Sequence, residues 1–359
     1  MGIESFDNTV RVSAAQARSF ALSVLQHHGV PKDRAVMVAD ALVLADLRGV
    51  DTHGINRLSG YIQRIQHKVL DPNPVLSFVM KTPAMASLDA RNTFGFVAGC
   101  MAIDKGVEIA ERFGMAMIAV KNSNHYGMGA TYVLRAVEQG YAAMAFTNAS
   151  RAMPPWGARE ALLGTSPMAV GIPGGREGDF ILDMSPTVAA RGKIRKAARR
   201  GESIPEGYAL DEHGRPTTNA EAALRGVMLP MGGPKGSGLA MMMDIFGGIL
   251  TGSSFAGGVK NQYEDFDEPQ GVGHWFMVFK PEAFLVSRDE LDDRMDTLLD
   301  RARSCDTAVG VDRIFTPGER SSETEIRRRR EGIPFTIAEV ENLKELAKES
   351  GSDVTLTGN

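Results

Sequence analysis

Two short segments each place a histidine beside polar residues and within two residues of a glycine: DTHGINR (51–57) and NSNHYG (122–127). Histidine changes charge near neutral pH, and a nearby glycine lets a substrate or another backbone approach closely. Arg57 follows His53 by four residues, so one helical turn would place both on one face. Its guanidinium can bind a carboxylate through two parallel hydrogen bonds. The residues therefore predict proton transfer beside a bound carboxylate.

The composition predicts a globular protein that handles small molecules. A chain of 359 residues, 43% hydrophobic and 23% charged, can bury a large core, and its length favours two lobes. The net charge of -4 gives no general attraction to nucleic acid or to an anionic membrane. Any anionic ligand must then be held by a local basic site.

The cysteines and the apolar segments predict a cytoplasmic protein. Only Cys100 and Cys305 occur, without metal-ligand spacing, so neither a disulfide framework nor a structural zinc site is expected. The first residues lack the pattern of a signal peptide. The most apolar stretch, 239–250, is too short to span a bilayer and carries Asp244.

Periodicity predicts helices first and then an α/β core. Helices are expected over 12–28 and 33–48, and a third begins after Gly54 with His53 at its amino-terminal end, where amides favour an anion. Apolar segments at 115–120, 142–146, 168–172, 180–184 and 273–279 indicate strands. Helices are also expected over 96–113, 129–139, 234–250, 288–303 and 337–349. The Met241–Met243 run is expected in the core, and the run of four arginines at 327–330 on a solvated helix face.

The common motifs of several enzyme classes are missing. No G-x-G-x-x-G fingerprint occurs, which disfavours a standard Rossmann domain. A Walker A loop, a G-x-S-x-G elbow and an HExxH zinc helix are missing as well. Phosphoryl transfer, acyl transfer and zinc hydrolysis therefore lose support.

Seven ordered blocks resemble the type 2 malate/L-lactate dehydrogenase family, whose members include ureidoglycolate, sulfolactate and 2,3-diketogulonate oxidoreductases and cyclic imino-acid reductases. The blocks are DTHGINR (51–57), VKNSNHYGMGATY (120–132), GTSPMAVGIP (164–173), LDMSPTVAARGKI (182–194), IPEGYALDEHGRPTT (204–218), LPMGGPKGSGLAMMMDIFGGILTG (229–252) and PGERSSETEIRRRREGI (317–333). The resemblance implies an oxidoreductase that uses NAD or NADP, generally a homodimer.

The resemblance also implies a fold class: α/β, with a non-Rossmann NAD(P)-binding mixed-sheet domain and a helical domain built from both termini. The expected division is a helical domain of residues 1–72, completed by 282–359, and an α/β domain of residues 73–281 that binds cofactor and substrate. The family pattern has Ser at the position of Thr52 and Asn at that of Ser166. Thr52 keeps a hydroxyl for substrate, but its methyl group narrows the pocket.

The catalytic candidates are His53, Asp183 and His125. His53 would carry the proton of the substrate oxygen, or it would be a helix-capping or buried structural histidine. By similarity, Asp183 would hydrogen-bond His53 and fix its tautomer, or it would cap a helix. His125 would be the acid/base itself, would contact nicotinamide or substrate, or would be a structural loop residue.

The candidates for substrate binding are Thr52, Arg57 and Tyr61. Arg57 would bind the carboxylate, with an exposed surface arginine as the alternative, and Tyr61 would line the pocket or pack in the core. Lys235 would offer a cation and free amides to a cofactor phosphate, or it would be a solvent lysine. The full set of cofactor candidates is His125, Asn148, Ser150, Asp183, Met184, Ser185, Thr187, Pro234, Lys235, Gly318, Glu319 and Arg320.

The predicted reaction is reversible reduction of a 2-oxo acid by NAD(P)H, with a cyclic imino acid as the alternative substrate. A different class would use His53, His125 and Asp183 as a two-histidine, one-carboxylate iron site of an oxygenase, although the spacing lacks the close H-x-D pair. A third class is a non-catalytic binding or assembly protein with the same scaffold. No resident metal, nucleic-acid partner or membrane is expected.

Overall fold

The computed structural model describes residues 9–357. Helices and strands are mixed along the chain, as is typical of an α/β protein. The strands are β1 (Thr9–Val12), β2 (Phe78–Thr82), β3 (Met85–Asp89), β4 (Met115–Ser123), β5 (Ala142–Thr147), β6 (Arg151–Met153), β7 (Leu163–Gly164), β8 (Met168–Ile172), β9 (Phe180–Met184), β10 (Ala209–Leu210), β11 (Pro216–Thr217), β12 (Val227–Met228), β13 (Val272–Phe279) and β14 (Ile333–Thr336). The helices are α1 (Ala14–His27), α2 (Lys32–Leu47), α3 (Leu58–Gln66), α4 (Gly95–Phe113), α5 (Ala130–Val137), α6 (Arg191–Arg200), α7 (Ala220–Arg225), α8 (Pro234–Asp244), α9 (Arg288–Arg303), α10 (Glu319–Glu331) and α11 (Ile337–Ser350).

Seven strands form the central sheet, in the order β2-β3-β4-β13-β5-β8-β9. Only β3 and β4 run parallel; the other neighbours are antiparallel. A Rossmann domain has a mostly parallel sheet, so the prediction of a non-Rossmann mixed sheet is confirmed. The predicted strands at 115–120, 142–146, 168–172, 180–184 and 273–279 all lie in this sheet.

The two faces of the sheet are covered differently. Alternate residues such as Ile118 and Val278 pack, fully buried, in a core that also contains α4 and α5 residues. The opposite face is rich in methionine and is covered in part by α8, with Phe146, Met243 and Trp275 buried there. Met241, two residues before Met243 on α8, is half exposed, so the expectation that the whole methionine run is buried is wrong.

The two ends of the chain meet in a second core. Strand β1 pairs antiparallel with β14, and buried residues of α1 and α2, such as Phe20 and Leu42, share a cluster with Phe335 and Leu343. This is the contact on which the expected joint terminal domain depends. Its exact division at residues 72 and 282 stays a prediction, and residues 1–8 and 358–359 of that division lie outside the described residues.

Two features differ from the sequence expectation. Two short 3-10 turns, Asp51–His53 and Ile55–Arg57, precede α3, because Gly54 interrupts the helix with an extended backbone. Strands β10 to β12 with α6 and α7 form a small lobe with its own buried cluster, which the sequence did not separate from the main domain. Across residues 9–357, every helix is too short or too polar to cross a membrane.

Candidate active site

A buried aspartate holds the turn that carries His53. Asp46, in the last turn of α2, is fully buried, and its Oδ2 accepts a hydrogen bond from the backbone N–H of Ile55 at 2.9 Å. A Cβ atom at Gly54 would lie 1.6 Å from Oδ1 of Asp46, so only glycine fits here. The sequence predicted that the amides at this helix start would bind an anionic ligand. That prediction is wrong for the Ile55 amide, because it already bonds the protein's own Asp46 carboxyl group. Burial raises the pKa of Asp46 well above its usual value.

Residues of helix α10 also stabilise the turn that carries His53. Arg328 donates hydrogen bonds to the backbone carbonyl of Asp46 and to the carboxylate of Asp51, while Arg48 pairs with Glu325 at 2.9 Å. Arg328 is buried, whereas the other three arginines of the run are exposed. The prediction of a solvated helix face is therefore correct for Arg327, Arg329 and Arg330. Arg328 instead positions the His53 turn.

The His53 imidazole is half-buried and neutral at physiological pH. Its Nδ1 lies 2.9 Å from the hydroxyl of Thr52, and its ring stacks on that of His125 with centroids 5.5 Å apart. Burial lowers the pKa of His53 to about 4, and the positive charge of Arg57 adds to the effect. Thr52 is thus the residue that orients this ring.

His125 is a hydrogen-bond donor at Nε2. Its Nδ1 lies 2.8 Å from the hydroxyl of Tyr61 and 3.4 Å from the backbone N–H of Gly127. A backbone N–H can only donate, so Nδ1 must accept and the ring proton must be on Nε2. Burial, followed by the charges of His53 and Arg57, lowers the pKa of His125 well below its usual value. This tautomer favours a role as donor over a role as base.

Arg57 is held so that one end of its guanidinium is free. Its Nε donates to the backbone carbonyl of Thr52, and its Cζ lies 5.1 Å from the ring centroid of Tyr263. Within the described chain, neither terminal nitrogen has a hydrogen-bond partner. His53 and Arg57 are close, as predicted, although two 3-10 turns rather than one α-helical turn join them. Tyr61 is in the core and also bonds His125.

Asp183 lies where β9 ends, at the start of α5. Its Oδ2 accepts from the N–H of Ala130 at 2.8 Å, a favourable place for a carboxylate. Solvent reaches the side chain, but protein surrounds it closely enough that burial raises its pKa to about 6. The predicted hydrogen bond between Asp183 and His53 is wrong, because the structure pairs Asp183 with α5 and His53 with Thr52.

Segments distant in sequence converge around the end of β9. The N–H of Ile181 donates to the carbonyl of Pro317, and Gly318 packs against Ile181. The N–H of Met231 donates to the carbonyl of Pro186, which brings the start of α8 to the segment after Asp183. The Ser185 hydroxyl bonds that of Thr187 at 2.9 Å and the carbonyl of Thr165 at 2.7 Å.

Several cofactor candidates have structural partners. Asn148 is buried, with its amide bonded to backbone groups of Ser254 and Gly273, and Glu319 accepts from Thr316, Arg303 and Arg313.

The prediction that the backbone amides near Lys235 are free to bind a phosphate is wrong. The N–H groups of Lys235, Gly236 and Ser237 donate to carbonyls of the preceding loop. The Lys235 side chain itself is exposed.

The remaining cofactor candidates are partly or fully exposed to solvent. Arg320 lies over the ring of Phe315 at 4.1 Å and is exposed. Met184 pairs with Met168 at the end of β9, Ser150 is half-buried between β5 and β6, and Pro234 is the exposed first residue of α8.

The geometry disfavours the iron site considered for an oxygenase. His53 and His125 stack face to face, and their Nδ1 atoms bond Thr52 and Tyr61, while Asp183 is bonded to α5. Three ligands of one metal must instead point at a common centre. In the part of the chain that the structure describes, no group of three or more His, Cys, Asp or Glu side chains could hold a metal ion.

Sequence reasoning missed the residues that position the site. Asp46 interrupts the apolar sequence of α2, and a charged residue on a buried helix face is the signal that could have found it. Arg328 was hidden in a run of like charges. Gln270, whose Oε1 accepts from the N–H of His125 at 2.8 Å, and Tyr263 lie in a loop that no motif marks.

The family model described as malate/L-lactate dehydrogenase matches residues 12–344. A malate dehydrogenase of Pyrococcus abyssi is 35% identical over 353 residues, which are 96% of each chain. A ureidoglycolate dehydrogenase (NAD(+)) of Escherichia coli is 32% identical, over 85% of this chain and 86% of the relative. A (2R)-3-sulfolactate dehydrogenase (NADP(+)) of Chromohalobacter salexigens is 35% identical, over 76% and 82%.

Solved structures are similar over the same length. The sulfolactate dehydrogenase of Methanocaldococcus jannaschii has a TM-score of 0.90 at 33% identity, over 96% of this chain and 98% of that one. A delta1-piperideine-2-carboxylate reductase of Pseudomonas syringae has a TM-score of 0.84 at 28% identity, over 94% and 99%. The fold and the matches define a dehydrogenase. The chain belongs to the malate/L-lactate dehydrogenase family.

Proposed function

We propose that this enzyme reversibly reduces a 2-oxo acid to a 2-hydroxy acid, with NADH or NADPH as the hydride donor. The observation that carries the proposal is that the His53 imidazole and the Arg57 guanidinium both bond Thr52, close enough for the charge of Arg57 to lower the pKa of His53, on one turn that Asp46 and Arg328 hold. A proton carrier beside a carboxylate-binding cation is what this reaction requires of the protein.

Each residue has a separate task in the proposed reaction. The terminal nitrogens of Arg57 bind the substrate carboxylate, and this anion raises the proton affinity of His53 next to it. His53 then gives its proton to the oxo oxygen during reduction and takes the hydroxyl proton back during oxidation. His125, with its proton on Nε2, donates a hydrogen bond to the same oxygen or to the carboxamide of the cofactor.

The donor set at the end of β9 fits a nicotinamide dinucleotide. Lys235 and Arg320 are exposed cations without a carboxylate partner among residues 9–357, which suits phosphates. Asp183, Ser185 and Thr187 offer oxygen acceptors and hydroxyls at the place where ligands of α/β proteins commonly bind. When bound, the nicotinamide supplies or accepts the hydride.

A cyclic imino acid is the second candidate substrate. The likeness to a delta1-piperideine-2-carboxylate reductase favours it, since such a substrate also carries a carboxylate next to the carbon that receives hydride. His53 would then protonate nitrogen rather than oxygen, and Arg57 would keep its task.

The test is a titration with NADH and NADPH by fluorescence, followed by a rate screen with 2-oxo acids of different length and with cyclic imino acids. We expect micromolar binding of one dinucleotide and its oxidation by at least one class of acid. Stoichiometric iron in a protein that binds neither dinucleotide would support an oxygenase. A protein that binds neither dinucleotide nor iron would be a non-catalytic scaffold.

Replacing Arg57 by alanine is expected to raise KM for the acid substrate about 10- to 100-fold, because hydrogen bonds to a charged group contribute about 1.5 to 3 kcal/mol. Arg57→Lys keeps the charge but loses the two-pronged geometry, so it should recover only part of the loss. Steady-state kinetics measures both. A KM of Arg57→Ala equal to that of the parent would contradict the assignment.

We propose a homodimer in a reducing cytoplasm. Met241, Ile245 and Ile249 are spaced by four residues along α8 and the π-helical turn that follows it, and with Leu250 they are 43% to 57% exposed. An exposed apolar row of this kind is a suitable surface for contact with a second copy of the chain. The row lies on the helix that begins at the cofactor candidates Pro234 and Lys235. Light scattering should give twice the chain mass of 38.7 kDa; the mass of one chain would refute the dimer. Both cysteines are free, as expected of a protein in a reducing compartment.

A further inference from the structure

Arg48, the residue at which α2 ends, is a buried cation that links this helix to the cofactor candidate Gly318. Its side chain is only 6% exposed. Its Nη1 donates to Oε2 of Glu325 at 2.9 Å, and its Nη2 donates to the carbonyl oxygen of Gly318 at 3.5 Å. Both partners belong to α10 or to the residue before it. One guanidinium therefore holds the end of α2 against the start of α10.

The segment that Arg48 holds lies against strand β9, shortly before Asp183. The carbonyl of Pro317 accepts a hydrogen bond from the N–H of Ile181 at 3.2 Å. A Cβ atom at Gly318 would lie 2.8 Å from the Cβ of Ile181, so the segment packs on the side chain of Ile181. Residues two apart in a strand point to the same face. The side chain of Asp183 therefore points to the side of β9 on which the Gly318 segment and Arg48 lie.

The charge of Arg48 acts on Asp183. Burial raises the pKa of Asp183 to about 6, while the hydrogen bond from Ala130 and then the positive charge of Arg48 act in the opposite direction. Tyr126 also faces this carboxyl: burial raises the pKa of Tyr126, and the charge of Asp183 adds to the rise. Strand β8 places the uncharged Ala169 opposite Asp183, and the start of α5 presents backbone amides. Arg48 thus favours the ionised form of Asp183 near neutral pH.

We propose that Arg48 is a positioning residue for dinucleotide binding, which fixes the Gly318 segment against β9 and keeps a positive charge facing Asp183. It acts through these two cofactor candidates. An ionised carboxylate accepts hydrogen bonds from a ribose hydroxyl or a carboxamide, so loss of the Arg48 charge weakens that contact. This inference rests on the proposed function.

The experiment measures the dissociation constants of NADH and NADPH by fluorescence, from weakly acidic to neutral pH, in the parent, in Arg48→Met and in Arg48→Lys. Ionisation of the ligand itself is common to all three proteins and cancels in the comparison. In the parent, binding should weaken as the pH falls through about 6, where Asp183 gains its proton. In Arg48→Met the midpoint should move to a higher pH, and Kd at neutral pH should rise about 10-fold.

Arg48→Lys separates the charge from the geometry. Lysine keeps the positive charge but cannot reproduce the planar two-pronged contact with Glu325 and Gly318. The midpoint should therefore return to that of the parent, while part of the loss in affinity remains. If Arg48→Met does not fold, Arg48→Lys decides alone: weaker binding with the parent midpoint supports the inference, and a Kd equal to that of the parent overturns it.

Arg329→Met is the matched control. Arg329 also pairs with Glu325, at 2.6 Å, but its side chain is exposed. The variant therefore removes a guanidinium from the same carboxylate without removing the contact with Gly318. Its midpoint should not move, and its Kd should stay within about twofold of the parent, because exposed pairs contribute little. In Arg48→Met, Arg329 still leaves Glu325 with a partner.

Three results would overturn the inference. An unchanged Kd in Arg48→Met shows that dinucleotide binding does not depend on Arg48. A Kd that rises by the same factor at every pH, with the midpoint unmoved, shows that the charge of Arg48 does not act on Asp183. An equal effect in Arg329→Met assigns the loss to Glu325. If the parent itself binds neither dinucleotide, the proposed function fails, and this inference fails with it.

Discussion

His53→Gln is expected to lower kcat about 10²- to 10⁴-fold, which is the usual contribution of a positioned general acid or base. Glutamine can still donate and accept hydrogen bonds, but it cannot carry a proton at physiological pH. KM for the acid substrate should change little, because Arg57 holds the carboxylate. Steady-state rates in both directions with saturating dinucleotide measure this effect.

The pH profile separates a lost proton carrier from a disturbed turn. Burial lowers the pKa of His53 to about 4 in the free enzyme. For hydroxy acid oxidation, kcat/KM should therefore be level at neutral pH and fall as the pH drops through about 4, where the base becomes protonated. His53→Gln should lack this acid limb. His213→Gln, which changes an exposed histidine, should behave as the parent; full activity of His53→Gln would remove His53 from the chemistry.

Gly54→Ala is expected to destabilise the protein by about 3 kcal/mol and to abolish most of the activity. The backbone of Gly54 is extended, so alanine adopts it without strain. The effect comes from the added methyl group, which would lie 1.6 Å from Oδ1 and 2.1 Å from Cγ of Asp46. Since neither group can stay in place, the turn that carries His53 must move. Denaturant unfolding and kcat/KM report the two consequences.

Two further variants show whether the clash is the cause. Gly60→Ala changes a glycine in α3 whose added Cβ would meet nothing within 4 Å, and it should keep both stability and activity. Asp46→Ala removes the carboxyl group that clashes, so the double variant Asp46→Ala/Gly54→Ala should lose less stability than the sum of the single variants. Additive losses would mean that Gly54 and Asp46 act independently.

The sequence predicted the elements well because their signals are local. Apolar periodicity marked α1, α2, α4 and the main sheet strands. The unusual strand order was not readable from any local pattern, since β13 inserts between β4 and β5 from more than a hundred residues away. The family resemblance implied a non-Rossmann mixed sheet but not this strand order.

The site was predicted in its residue types but not in its bonds. His53, Arg57, Tyr61 and His125 do come together, which their two motifs indicated. The partner of His53 was predicted to be Asp183, but it is its neighbour Thr52. Hydrogen-bond pairing depends on how α10 and the loop around Tyr263 pack on the turn, and no spacing in the sequence encodes that packing.

A crystal structure of the enzyme with a dinucleotide and a non-reactive 2-oxo acid analogue such as oxamate tests whether His53 and Arg57 act on the same substrate. We expect Nε2 of His53 within about 3.2 Å of the ligand oxygen that corresponds to the oxo group, with the terminal nitrogens of Arg57 bound to the ligand carboxylate. A ligand whose carboxylate avoids Arg57 and whose oxo oxygen contacts only His125 would contradict it.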